Sequence, residues 1–214
     1  MIPLQAAVFI LSPPPTTVAA YFELFQQNPL LGLLDLDLLL TLDYLAMIPF
    51  YLALFVVVRR VSPSSALLGL VTGLFSLLLY LFSREATFSM WLLSAQHAAA
   101  TDDGQRAALI AAGQTLLTLY NGGSFAISYL LGAASTLIYS AAMLRHHVFG
   151  TWPGIVGLVT GATMLVPANV GPVGVTIAMA SLIPTAVWLV LLARALLLAA
   201  SDRGQVGGQQ APVR

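Results

Sequence analysis

Charges are too scarce along this chain for water to cover a fold made from it. Only 7% of residues are charged and 59% are hydrophobic, whereas ordinary soluble domains carry roughly 25% charged residues. A soluble protein of 214 residues needs a polar exterior; in lipid the exterior can be apolar, and the shortage stops being a problem. Hydrocarbon about 30 Å thick takes roughly 20 helical residues per crossing, so the length leaves room for five or six crossings and little else. The expected fold class is all-α: a polytopic transmembrane helix bundle of about five spans, with the lipid bilayer as its surroundings.

The remaining composition narrows function mainly by exclusion. The formal net charge is zero and there is no basic run, so nucleic acid is not an expected partner. Without any cysteine the chain has no disulfide, thiolate metal site or cysteine nucleophile. Neither H-E-x-x-H, G-x-S-x-G, a P-loop nor a dinucleotide fingerprint occurs. No catalytic residue, metal site or cofactor is therefore expected.

Residues 1–37 read as a lead-in, either an interfacial arm or a partial sixth span. Met1 to Leu11 is apolar but too short to cross, and Ser12-Pro13-Pro14-Pro15 stops it. Thr16 or Thr17 is placed to cap a short helix, VAAYFELFQQ, ending at Asn28-Pro29. The bundle proper is expected over residues 38–200. Its spans fall at about Leu38–Val58, Ser65–Phe82, Gly123–Leu144, Trp152–Val166 and Val173–Leu192. The fourth is short, and the loop PANVGPVG closes it. Pro49 and Pro184 lie inside the first and fifth, where proline kinks a helix. Residues 83–121 form a polar insertion of two alanine-rich helices, with Thr101-Asp102-Asp103 as turn and N-cap between them. Residues 201–214 read as a disordered polar tail.

Arginines set the expected orientation. In a five-span arrangement Arg59, Arg60, Arg145, Arg194, Arg203 and Arg214 fall on one side, Arg84 and Arg106 on the other. The positive-inside rule places the larger set and the C-terminus in the cytoplasm and the insertion outside.

An internal echo links two spans. Gly69-Leu70-Val71-Thr72-Gly73 recurs as Gly157-Leu158-Val159-Thr160-Gly161, and the same offset aligns Tyr51 with Tyr139. The pattern fits a parallel duplicated hairpin, a layout used by some transporters, and it also fits chance recurrence of common membrane residues, the more economical reading. Either way, glycines one turn apart let a neighbouring backbone approach closely. Gly69, Gly73, Gly157 and Gly161 are thus candidate helix-packing residues, within one chain or across a homodimer.

Three acids are the candidate binding residues: Asp35, Asp37 and Asp43. An ionised carboxylate at helix-centre depth costs on the order of 2.5–3.5 kcal/mol, so Asp43, five residues into its span, invites a proton or cation site shared with Asp35 and Asp37. The plainer reading is a solvated acidic rim, with Asp43 paired to Arg84 or Arg106. Asp35-Leu36-Asp37 also matches the D-x-D pattern of some metal-dependent glycosyltransferases, a spacing too common to carry weight. His146 and His147 sit about 100° apart on a helix, so interfacial anchoring explains them better than shared metal ligation. His97 has no second ligand near it in sequence. Trp91, Trp152 and Trp188 are candidates for aromatic belts, and Trp188 equally for core.

Four stretches carry a resemblance: NPLLGLLDLDLLLTLD, Arg59-Arg60-Val61-Ser62-Pro63-Ser64, SAQHAAATDDGQRAALIAAGQTLLTLYNG and LRHHVFGTWPGIVGLVTG. Through them the chain resembles a bacterial family of small multi-span membrane proteins catalogued only as a domain of unknown function. The T-D-D-x-Q-R-A-A-L turn is the most specific element. The resemblance implies a helical protein of the bacterial inner membrane with a further N-terminal hydrophobic span, and it implies no activity. Function is expected to be a non-catalytic binding or accessory subunit, alone, as a homodimer or in a larger membrane complex. The alternatives are a small-solute or proton transporter and, behind it, a lipid-acting enzyme.

Overall fold

The computed structural model describes residues 2–208 of the chain. The described residues form ten helices and no strand: α1 (Ile2–Leu11), α2 (Val18–Gln27), α3 (Pro29–Asp35), α4 (Leu38–Val58), α5 (Pro63–Ser83), α6 (Glu85–Ala99), α7 (Asp103–Tyr120), α8 (Gly123–Arg145), α9 (Thr151–Thr163) and α10 (Gly171–Gly208). Among the described residues, four helical stretches are long and apolar enough to cross a membrane: Leu38–Val58, Pro63–Ala99, Asp103–Arg145 and Gly171–Leu198. Expected as the fourth span, α9 has only 13 residues. At 1.5 Å per residue it extends about 20 Å, short of the hydrocarbon thickness. Helix α10 runs to Gly208, so its last turns cover residues read from sequence as a polar tail; 209–214 lie outside the described residues.

The chain divides into two compact units, one made of residues 1–49 and 75–128, the other of 50–74 and 129–214. In the first unit, Thr17 caps α2 by accepting the Ala20 N–H. Asn28 both ends α2 and caps α3, with Pro29 in the first turn. Helix α2 is not a free arm. Val18, Tyr21, Phe22 and Phe25 recur at the i, i+3, i+4, i+7 spacing of one helical face, and they form a buried core with Leu36 and Met90. Leu93, Leu109, Ile110 and Leu116 of α6 and α7 pack against that core. Gly113 lets α7 close in, since a methyl there would press on Val18 and Phe22. Hydroxyls then tie helices to main chain: Ser94 donates to the Phe22 carbonyl at 2.8 Å and Thr87 to the Leu36 carbonyl at 2.6 Å. Asp102 caps α7 through the Gly104 and Gln105 N–H groups.

The second unit packs through small residues. A side chain on Gly73 would overlap Tyr51 and Ser135, and one on Gly69 would overlap Tyr139. Ser135 donates to the Gly69 carbonyl at 2.7 Å and Tyr139 to the Ala66 carbonyl at 3.2 Å. Gly157 lies against Ser140 and the buried Trp188, whose ring meets Phe50 edge-on at 5.8 Å. Gly161 lies against Leu137 and the Ala133 carbonyl. Under the sequence echo the counterpart of the Gly73–Tyr51 contact is Gly161 against Tyr139; the observed neighbour is Leu137, two residues away.

Candidate functional site

The chain turns from α3 into α4 through Asp37, which takes the left-handed conformation at φ 64°. Non-glycine residues rarely adopt it, and aspartate is among those that tolerate it best. The chemistry of its side chain explains why glycine does not stand there. The Asp37 carboxylate is 3.3 Å from Arg84 Nε and accepts the Tyr120 hydroxyl at 2.5 Å. Arg84 occupies the junction of α5 and α6 and also donates from Nη1 to the Tyr120 carbonyl at 3.1 Å. Its guanidinium carbon lies 3.8 Å from the Tyr120 ring centroid, 4.6 Å from Tyr80 and 4.7 Å from Phe125. Tyr80 in turn stacks on Tyr44 with centroids 3.5 Å apart. The result is a buried cation in an aromatic box, neutralised by one carboxylate.

This overturns the solvated acidic rim expected from sequence. Asp35 and Asp37 are 3% and 7% exposed, and Arg84 is 4% exposed. The physical reason is coverage by α2 and α6, which the short, polar-flanked lead-in did not announce. Burial raises the Asp37 carboxyl above its ordinary range, against the lowering effects of Arg84 and the Tyr120 hydrogen bond. Asp35 differs from Asp37 in having no hydrogen-bond partner at either carboxylate oxygen, and burial pushes it up to about 6. Tyr21, buried and facing both acids, is pushed up to about 12. With Asp37 committed to Arg84 and Tyr120, the D-x-D pair does not offer two free carboxylates to one ion.

The other candidates lie apart from this cluster or in other surroundings. Asp43 is half-buried on α4. Arg106 donates to the Ala100 carbonyl and lies 3.9 Å from Asp103. His97 packs its ring on Phe22 at 5.2 Å, and His146 and His147 are exposed. Trp152 is 72% exposed. Among the described residues no cluster of His, Asp and Glu is arranged to hold a metal ion. Sequence reasoning missed Arg84 as the centre, together with Tyr80, Tyr120 and Phe125. One signal was present: Tyr80 precedes Arg84 by one helical turn, the spacing at which side chains on a helix meet. Tyr120 and Phe125 come from a distant segment and left no such sign.

The four long apolar helical stretches among the described residues mark an α-helical membrane protein. The family profile described as a domain of unknown function (DUF4386) matches residues 6–200, and the chain belongs to that family. No curated protein and no solved structure matches it.

Proposed function

We propose that the chain is a non-catalytic binding or accessory protein of a bacterial inner membrane. The observation that supports this reading is an open groove of about 560 Å³ along α6 and α7, lined by Leu92, Leu93 and Leu116 with polar Ser89, Gln96 and Thr115. An apolar groove with a few polar groups suits a helix from another membrane protein or from a second copy. A photo-reactive residue at Thr115 is expected to crosslink a defined partner in native membranes. A detergent-solubilised monomer that captures nothing there sinks the proposal.

A second reading, transport of protons or a small solute, is favoured by Asp35, a buried carboxyl without a partner. Intramembrane or membrane-flanking acids of this kind mark ion pathways. Reconstituted vesicles without proton or cation flux, and indifferent to Asp35→Asn and Asp43→Asn, count decisively against it.

In either reading the proposed topology is five spans, the fourth made of the short α9 together with the PANVGPVG segment that follows it, with Arg59, Arg60, Arg145 and Arg194 cytoplasmic and the α6–α7 hairpin outside. The chain lacks cysteine, so single-cysteine variants report sidedness cleanly. Gln105→Cys is expected to label from the outside and Ser201→Cys only after permeabilisation; the reverse pattern inverts the assignment.

A further inference from the structure

Two buried side chains on neighbouring helices present oxygens with nothing to accept. Gln5 of α1 is 2% exposed; its amide nitrogen donates to the Leu34 carbonyl at 2.7 Å, and its Oε1 has no partner. Asp35, the residue after Leu34, has neither carboxylate oxygen partnered. Buried acceptors without donors are rare enough in native folds to require an explanation. An ionised carboxylate is acceptor-only, as is an amide oxygen, so the two groups cannot satisfy each other while Asp35 is charged. A protonated carboxyl carries one O–H, and one such donor serves both groups.

We propose that Asp35 and Gln5 form a proton-binding site in which the neutral Asp35 carboxyl donates to Gln5 Oε1 and holds α1 on α3. The proton comes from solvent and is returned to it on ionisation; no other bond forms or breaks. Ionisation leaves a buried charge facing an amide oxygen, and α1 detaches from the Leu34–Asp35 turn. Among the described residues no cation acts on the Asp35 carboxyl, and burial is the cause of its shift. Tyr21 faces Asp35 from α2, Asp37 follows it at the α3–α4 turn, and α1 contributes no titratable side chain. The Arg84 guanidinium at the head of α6 is engaged by Asp37, Glu85 is exposed, and His97 lies further along α6 against Phe22. The raised Asp35 carboxyl, at about 6, puts the transition within the range cells experience. The site stands on the α1–α3 geometry and depends on neither functional reading above.

Hydrogen exchange of the full chain in nanodiscs, corrected for intrinsic rates, tests it. Between about pH 5 and about pH 7.5, amides of α1 are expected to exchange at least about tenfold faster at the higher pH, because local opening free energy falls as the latch is lost. Asp35→Asn, which keeps a donor at every pH, is expected to exchange slowly throughout. Gln5→Leu, which removes the acceptor, is expected to exchange fast throughout. Protection across α4 serves as the check that each variant is folded. A wild-type α1 whose protection does not change with pH, as when a bound water satisfies the same oxygens, overturns the proposal. So does an Asp35→Asn variant that retains the pH response.

Discussion

Each of the two compact units is held together internally by its own chemistry. The first encloses Asp37, Arg84 and a ring of tyrosines and phenylalanine around a buried ion pair. The second closes on glycines, with serine and tyrosine hydroxyls donating to main-chain carbonyls. A buried ion pair is sensitive to losing one partner, because the other is left charged in a poor dielectric. A glycine contact is sensitive to gaining atoms, because close-packed interiors have no room to give. The same chain thus fails by subtraction in one unit and by addition in the other.

The largest expected effect breaks the first unit. Arg84→Met leaves Asp37 buried without its cation and is expected to cost about 3–5 kcal/mol in denaturant unfolding in detergent. The double variant Arg84→Met, Asp37→Leu recovers most of that loss if the pair itself contributes little. Next, Asp37→Asn keeps a residue tolerant of the left-handed turn but loses the charge, and is expected to cost about 1.5–3 kcal/mol, the worth of hydrogen bonds to a charged group. Asp37→Gly relieves the backbone and is expected to be worse than Asp37→Asn, since it removes every contact to Arg84. A glycine variant more stable than the asparagine variant assigns the residue to the turn rather than to the ion pair.

In the second unit Gly157→Ala and Gly73→Ala are expected to cost about 1–3 kcal/mol each by overpacking. Paired with Trp188→Leu, Gly157→Ala is expected to recover part of that cost. The same thermal-melt series on Gly123→Ala, where added atoms meet open space, is the control. The smallest effect concerns pH. A folded carboxyl raised from its ordinary range to about 6 means that the folded state holds the proton more tightly than the unfolded one. Stability conferred at Asp35 is therefore full at low pH and lost as pH rises through about 6. Asp35→Asn is expected to flatten the melting temperature over that window and to gain about 1 kcal/mol above it. A wild-type melting temperature that rises across the same window reverses the sign and refutes the assignment.

Much of the helical framework was legible in the sequence because hydropathy and breakers speak locally. The first expected span and α4 occupy the same residues, and Asn28-Pro29, Thr17 and Asp102 end or cap helices through bonds to neighbours two to four residues away. The short α9 was visible as a length problem and no more. What escaped was anything decided by distant segments. Nothing near Arg84 announces Tyr120 or Phe125, and nothing near Asp35 announces Gln5, thirty positions earlier. The acids drew attention as acids, but whether water or protein surrounds a carboxylate depends on which helix lands on it. Helix α2, read as an interfacial arm, is what covers them.

The hydroxyl-to-carbonyl ties have an evolutionary consequence. Ser94 holds Phe22, Thr87 holds Leu36, Ser76 holds Ser128 and Ser135 holds Gly69, each through the partner's main-chain oxygen. Every residue type carries that oxygen, so a change of side chain at the accepting position neither breaks the bond nor calls for a matching change at the donor. Such contacts generate no correlated substitutions between the two positions. Drift among relatives should therefore be one-sided at these crossings, with the hydroxyl retained while the accepting residue varies as its packing allows.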